Sequence, residues 1–583
     1  MPSLSRSLRN GLSAAASTLL LAASLAVGTA SAAPAGPGDR VEIPIASTSP
    51  QTDVAASLVK LRAPLPAGAP AHPEACDWIQ FVRFRLADGP AVSTDADAVA
   101  VLMPGNVGGA MGFDPLSRNA VREAHRRGKA IEVWATDRRA NCLEDLAGLD
   151  ALEAGGSPDA TTAYYWGDGE IGGERFAGWR RDPKVLAELG VAQTVRDFHT
   201  VLTRELPDQA WRERHVTCGA HSLAGGLLEM YAGWDFDGNA ATTADAGYRQ
   251  CAGFIGFETL LDIGLGSSDP PKVKAFAPLL PLARGLAGAP TVRALRAGTV
   301  SRHERLLGIG PETMALMEAV AIRAAREPDA EATAWLRGLP VSSVVREYYR
   351  ITGSPTLGDY LAGKRRLTDY RYTYAALLGQ MWDDNGSVLS VIRASFGYPE
   401  GGPLIRNRVP EQVFGIPGLD LLFQRGRAML PRRTSPQRLI GWRGYDALGA
   451  GDSQVGRGVT SPTSEVTDPR EFARILFEGP TNLVETWFPT RIITDIAAVA
   501  TGDRSGDFRA LMHPHPTRHK PRFVVLGGDG VLRKSGIGAL DPHVVLPGYE
   551  HLDVLTAAER QNDGRPEQSS QTLASFALGA AAS

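Results

Sequence analysis

Two stretches of this sequence carry residue types that do chemistry when they meet. Residues 215–226, HVTCGAHSLAGG, place Ser222 between small neighbours, Ala220 and Ala224, after a short apolar run at 216–218. A helix-like segment follows at 227–234. Small residues on both sides are what a strand-to-helix turn needs if it is to push a hydroxyl out of a sheet. The pattern is a relaxed match to G-x-S-x-G, with alanine in both glycine places. The plainer reading is a small-residue turn that happens to contain a serine. A serine is a weak nucleophile until a base takes its proton. His551 is the candidate base, in the run LPGYEHLD at 546–553, just past the last strand-like segment. A loop there can carry an imidazole over the turn, as nucleophile–base–acid chemistry requires. The competing reading of His551 is a solvated loop histidine.

The elements that must position these groups read as strands alternating with helices. Residues 76–89, CDWIQFVRFRLADG, alternate as a half-exposed strand does. A buried-type strand at 99–103 ends in the turn Pro104-Gly105-Asn106-Val107-Gly108-Gly109. Asp114-Pro115 opens a helix running to Arg127, with proline in its first turn. A second buried strand at 130–135 follows, and a long helical region runs from Asp182-Pro183 to about Leu206. The serine strand and another at 251–257 come next. This alternation predicts a mostly parallel sheet. Between 265 and 475 apolar residues recur at helical spacing in 312–326, 332–336 and 344–352, so a large, mostly helical insertion is expected. The sheet resumes at 522–527 and 543–546.

With 583 residues, 43% of them hydrophobic and 21% charged, the chain has room for one large core plus an insertion, and its balance is that of a soluble globular protein. Arg6 and Arg9 precede an apolar run at 12–27, and Ala30-Ser31-Ala32 supplies a small-residue cleavage pattern. This predicts a signal peptide over 1–32 and a secreted or periplasmic protein without a stable membrane anchor. Loss of Arg6 and Arg9 takes the formal net charge from −3 to −5, which does not suggest nucleic-acid binding. Four cysteines, Cys76, Cys142, Cys218 and Cys251, favour two disulfides in an exported protein, with three connectivities open. Residues 33–75, rich in Ala, Pro and Gly, read as an extended arm, and 561–583 as a partly disordered tail.

Ala220-His221-Ser222-Leu223-Ala224, the glycine-rich turn after the 99–103 strand, and Gly548-Tyr549-Glu550-His551-Leu552-Asp553 together resemble the α/β-hydrolase superfamily, and within it exported bacterial serine esterases or lipases. The segment 133–141, VWATDRRAN, has the same character. The resemblance covers 76–264 and 476–560 as the two parts of one core, with 265–475 as a cap. It implies an α/β-hydrolase fold and the chain order serine, acid, histidine. It also implies that the acid is Asp529, in Gly527-Gly528-Asp529-Gly530 after the penultimate strand, with Glu258, at the end of the strand after the elbow, as the alternative. Asp529 reads equally as a turn residue, since Asp-Gly is a common turn pair. The oxyanion donors it implies are the backbone N–H groups of Leu223 and Asn106. The activity it implies is hydrolysis of a carboxylic ester without a cofactor, and the large cap favours a small-molecule or lipid-like substrate that is bulky and apolar, or a polyester, over a very small ester. A peptidase or thioesterase would share the triad, and an inactive binding protein would share the scaffold.

Other clusters carry less. The turn at 104–109 is not a phosphate loop, since no Gly-Lys-Ser/Thr follows it. Asp235, Asp237, Asn239 and Asp245 have a calcium loop's composition, but Gly238 is misplaced for an EF-hand and Ala246 stands where its last glutamate belongs. His513, His515 and His519 are interrupted by prolines, which favours a solvated loop over a metal site.

Overall fold

Nine strands make the central sheet: β1 (Arg40–Pro44), β2 (Val54–Arg62), β3 (Trp78–Leu86), β4 (Ala98–Met103), β5 (Ile131–Thr136), β6 (Val216–His221), β7 (Gly253–Phe257), β8 (Arg522–Gly527) and β9 (His543–Leu546). Their spatial order is β1-β2-β3-β5-β4-β6-β7-β8-β9. From β5 to β9 every neighbour is parallel. β1, β2 and β3 form an antiparallel edge that joins β5. The computed structural model describes residues 38–582 apart from 266–288 and the stretches 306–307, 414–415, 417–418, 420, 425, 435–436, 453–458 and 535–540. The expected signal peptide over 1–32 lies outside the described residues.

Side chains of a strand alternate between faces, and β4 shows it residue by residue. Val99, Val101 and Met103 join one buried cluster; Ala98, Ala100 and Leu102 join the other. A strand apolar on both faces belongs in the middle of a sheet covered on both sides. Helix α1 (Asp114–Arg126) covers the alanine face with Leu116, Ala120, Val121 and Ala124. On the opposite face lie α2 (Val191–Glu205) and α3 (Ala224–Gly233).

The insertion builds its own buried cluster around α4 (Pro311–Arg326) and α5 (Tyr374–Trp382), both packed by Met, Leu, Tyr and Trp side chains. That cluster also takes in Leu483, Val484 and Leu552 of the sheet-bearing part and touches Val107, so the cap rests on the loops at the carboxyl ends of the strands. The chain returns to the sheet through α6 (Thr490–Ala500) and ends in α7 (Gln568–Ala582). This is the α/β-hydrolase fold with a large, mainly helical insertion.

Four expectations are corrected. The arm at 33–75 holds β1 and β2, the latter (VAASLVKLR) a regular apolar run paired residue for residue with β3. The helical region from 182 is broken: a short turn at Lys184–Ala187 precedes α2, which starts after Gly190. At that break Asp495 of α6 accepts the Val191 N–H at 3.0 Å, so a tertiary contact starts the helix there. The insertion contains short strands, Arg371–Tyr372, Gly397–Glu400 and Leu439–Gly444, as a three-stranded sheet. The tail is ordered, because Leu573, Ala574 and Ala577 of α7 are buried in the same cluster as α1. Two disulfides are present, Cys76–Cys142 and Cys218–Cys251.

Candidate active site

β6 delivers Ser222 to the top of the sheet, and the backbone turns there with φ +53°. Left-handed backbone at a non-glycine residue costs of order 1–3 kcal/mol and persists only where surrounding contacts enforce it. Here they do. The Ser222 N–H donates to Phe257 O at 3.1 Å, tying the turn to the end of β7, and Ser222 O accepts the Gly225 N–H at 3.1 Å and the Thr259 hydroxyl. Gly105 crosses close beside it: a Cβ added there would lie 2.8 Å from Ser222 Cβ and 2.9 Å from His221 Nδ1. Only a residue without a side chain lets the β4 turn approach this near.

His551 arrives from the loop after β9. Its Nε2 lies 3.0 Å from Ser222 Oγ, and its Nδ1 lies 3.1 Å from Glu258 Oε2. Glu258 follows β7 directly, at φ +45°, and is 1% exposed. Its other partners are the N–H groups of Gly527, at 2.8 Å, and Leu532, at 3.5 Å. A carboxylate fixed this way holds the imidazole proton on Nδ1 and leaves Nε2 free to accept from the serine.

The preference for Asp529 over Glu258 is corrected by this geometry. The Asp529 N–H donates to Tyr549 O at 3.0 Å, and its carboxylate faces Arg427 at 3.6 Å. The loop that carries Asp529 serves Glu258 instead. A Cβ on Gly530 would stand 2.4 Å from Glu258 Cδ, so the glycine leaves room for that carboxyl. The structure thus brings Ser222, His551 and Glu258 together and turns Asp529 to an arginine.

Leu223 precedes α3, in the position whose neighbouring amides have no intrahelical acceptor. Asn106 lies in the β4 turn that Gly105 presses against Ser222. Both candidate oxyanion donors therefore flank the serine.

Two residues near the site carried no role in the sequence reading. His221 is buried, and its Nε2–H donates to His551 O at 3.2 Å. Burial first, then the His551 imidazole beside it, keep its pKa well below the usual histidine range, so it is neutral. Asp553 anchors the histidine loop to the cap. It accepts the Ser395 N–H at 2.9 Å, the Ser395 hydroxyl at 2.6 Å, the Thr467 hydroxyl at 2.7 Å and the Glu550 N–H at 2.7 Å. The run Glu550-His551-Leu552-Asp553 contained that signal, since a short polar residue two positions past the base is placed to tie down its loop.

The other clusters separate. His513 Nε2 meets Asp235 at 3.0 Å and His515 Nδ1 meets Asp262 at 2.7 Å, so these imidazoles serve different carboxylates; His513 is buried, not solvated. Oxygens of Asp235, Asp237 and Asp245 do gather within 4.8 Å of one another, on a loop whose Asn239 N–H donates to Asp235 and Asp237.

No family model matches the chain, and no curated protein matches it. Among solved structures it is similar to the peroxisomal α/β-hydrolase Lpx1 from Saccharomyces cerevisiae, at 8% identity over 91% of this chain and 90% of that one, with a TM-score of 0.30. It is also similar to juvenile hormone epoxide hydrolase from the silkworm Bombyx mori, at 11% identity over 90% and 79%, TM-score 0.28. A glucuronoyl esterase from Solibacter usitatus matches at 11% identity over 40% of this chain and 55% of that chain, TM-score 0.20. At such scores the fold rests on the strand order above, and reaction and substrate must be argued from the site.

Proposed function

We propose that this chain is a serine hydrolase that cleaves carboxylic esters through an acyl-enzyme. The observation that carries the reading is the relay Ser222 Oγ, His551 Nε2, His551 Nδ1, Glu258 Oε2, with both contacts at hydrogen-bond length. Ser222 Oγ attacks the ester carbonyl carbon as its proton passes to His551 Nε2. Charge collects on the carbonyl oxygen, which the N–H groups of Leu223 and Asn106 flank. The tetrahedral intermediate collapses, the carbon–oxygen bond to the alcohol breaks, and His551 returns the proton to that leaving oxygen. Water then attacks the acyl-serine while His551 takes one of its protons; the acid departs and the proton goes back to Ser222. Glu258, through its contact with Nδ1, orients the imidazole and stabilises the imidazolium.

The cap supports a bulky or lipid-like ester, because its apolar cluster reaches Val107 and Leu552, neighbours of the oxyanion turn and of the base. Export is supported by the two disulfides, which persist in oxidising compartments. Among the described residues no helix is long and apolar enough to cross a membrane.

Purified protein should hydrolyse p-nitrophenyl esters and take a fluorophosphonate label. Ser222→Ala should lose both. Undiminished turnover in that variant would refute the nucleophile, and a wild-type chain that neither turns over nor labels would be a binding protein on this scaffold.

A further inference from the structure

Arg138 follows β5 at the next-but-one position and is 6% exposed. Its guanidinium lies against the β4 turn and spends its donors on backbone oxygens. Nη1 donates to Gly108 O at 3.0 Å, while Nη2 donates to Gly105 O at 2.7 Å and also to Pro104 O. Nη1 is paired besides with Glu485 Oε2 at 2.6 Å, and Glu485 is wholly buried. The ring of Phe488 lies under the guanidinium, 5.1 Å from its carbon. The backbone around Glu485 grips the same turn: its N–H donates to Val107 O at 2.8 Å, and Leu483 O accepts the Gly109 N–H at 2.6 Å.

In a trans peptide the C=O and the following N–H point in opposite directions. A guanidinium that fixes Gly105 O therefore fixes the Asn106 N–H on the other side. The turn runs directly beside the serine, since a Cβ added to Gly105 would stand 2.8 Å from Ser222 Cβ. Resting on the ester-hydrolase reading above, we propose that Arg138, held by Glu485, is a positioning residue of the oxyanion site: by binding the carbonyls of Pro104, Gly105 and Gly108 it aims the Asn106 N–H at the oxygen of the acyl group on Ser222. The planar fork presents Nη1 and Nη2 to three carbonyls and a carboxylate in one fixed geometry, which the compact, freely rotating ammonium of a lysine does not reproduce.

The test uses three variants: Arg138→Lys, Glu485→Gln, and the paired replacement Arg138→Met with Glu485→Met, which removes the buried ion pair without orphaning either charge. Each variant whose far-UV circular dichroism matches wild type is assayed with a p-nitrophenyl ester. Two inhibitors of the same chain length are titrated alongside. A trifluoromethyl ketone adds Ser222 Oγ to its carbonyl and places an oxyanion in the hole. The corresponding secondary alcohol fills the same pocket and forms no adduct. Loss of one oxyanion donor costs about 10²–10³-fold in kcat, so Arg138→Lys and the double variant should lose kcat on the order of 10²-fold with KM nearly unchanged. Ketone affinity should fall by the same factor and alcohol affinity should hold. Glu485→Gln should lie between them and wild type on the same line of kcat against ketone affinity.

Unchanged kcat in any folded variant at Arg138, or equal losses of ketone and alcohol binding, would overturn the assignment. A wild-type protein that turns over esters and binds the ketone would then keep the hydrolase reading intact. A wild-type protein that does neither sinks the hydrolase reading, and the positioning role falls with it.

Discussion

Glu258 Oε2 stands 3.1 Å from His551 Nδ1, across 293 residues of sequence, and the N–H groups of Gly527, the last residue of β8, and of Leu532 hold the carboxylate there. Replacing this carboxylate with an amide keeps the shape but allows the wrong imidazole tautomer. Glu258→Gln should therefore lower kcat by roughly 10³–10⁴-fold, the scale seen when the acid of such a triad is neutralised. Asp529→Asn, which touches Arg427 rather than the imidazole, should stay within a few-fold of wild type. Steady-state kinetics on one p-nitrophenyl ester measures both, and a larger loss in Asp529→Asn than in Glu258→Gln would reverse the assignment of the acid.

The Cys218–Cys251 bridge joins β6, the strand that leads to Ser222, to the segment just before β7, closing a span of 33 residues. Loop-closure entropy gives a cross-link of this span a stabilisation of about 3–4 kcal/mol, mostly by restricting the unfolded chain. The double variant Cys218→Ala with Cys251→Ala should lose that order of stability in urea denaturation and keep its fold at 20–25 °C. A midpoint unchanged from wild type would show that the bridge contributes little.

His303 is buried at the entry to the cap, with Arg305 Nε donating to its Nε2 at 2.8 Å and Asp182 beside its Nδ1 at 3.3 Å. Burial, then the Arg305 charge, push its pKa down to about 4, against a partial opposing pull from Asp182; Arg181 adds to the lowering. The unfolded chain takes up a proton near pH 6.5 that the folded chain refuses until about 4. The sign follows: this histidine favours the folded state above pH 6.5, and its contribution disappears as pH falls through that window. His303→Gln should flatten the acid limb of stability between pH 6.5 and 4.5, measured as the denaturation midpoint at each pH. Parallel curves for wild type and variant would remove His303 as a cause.

The sequence by itself determined the central parallel strands and the turn at Ser222. Short-range periodicity placed β4, β5, β7 and β8 to within a residue or two and found the start of β6, because a strand buried on both faces is apolar along most of its length whatever it pairs with. The small residues around Ser222 marked the elbow for an equally local reason, namely that nothing larger fits such a turn. Local signal failed where a distant partner decides. β2 and α7 lacked strong boundaries and are fixed by β3 and α1, and the break before α2 is set by Asp495. The choice between Glu258 and Asp529 was of this sort too. Both end a strand and both adjoin turn residues, so chain position could not separate them. Only packing does: Gly527 at the end of β8 donates its N–H to one carboxylate, Gly530 leaves room for it, and the other carboxylate is turned toward Arg427. Arg138 was in plain sight in the sequence, yet its role exists only because β5 and the β4 turn are neighbours in space, which the parallel order of the sheet supplies.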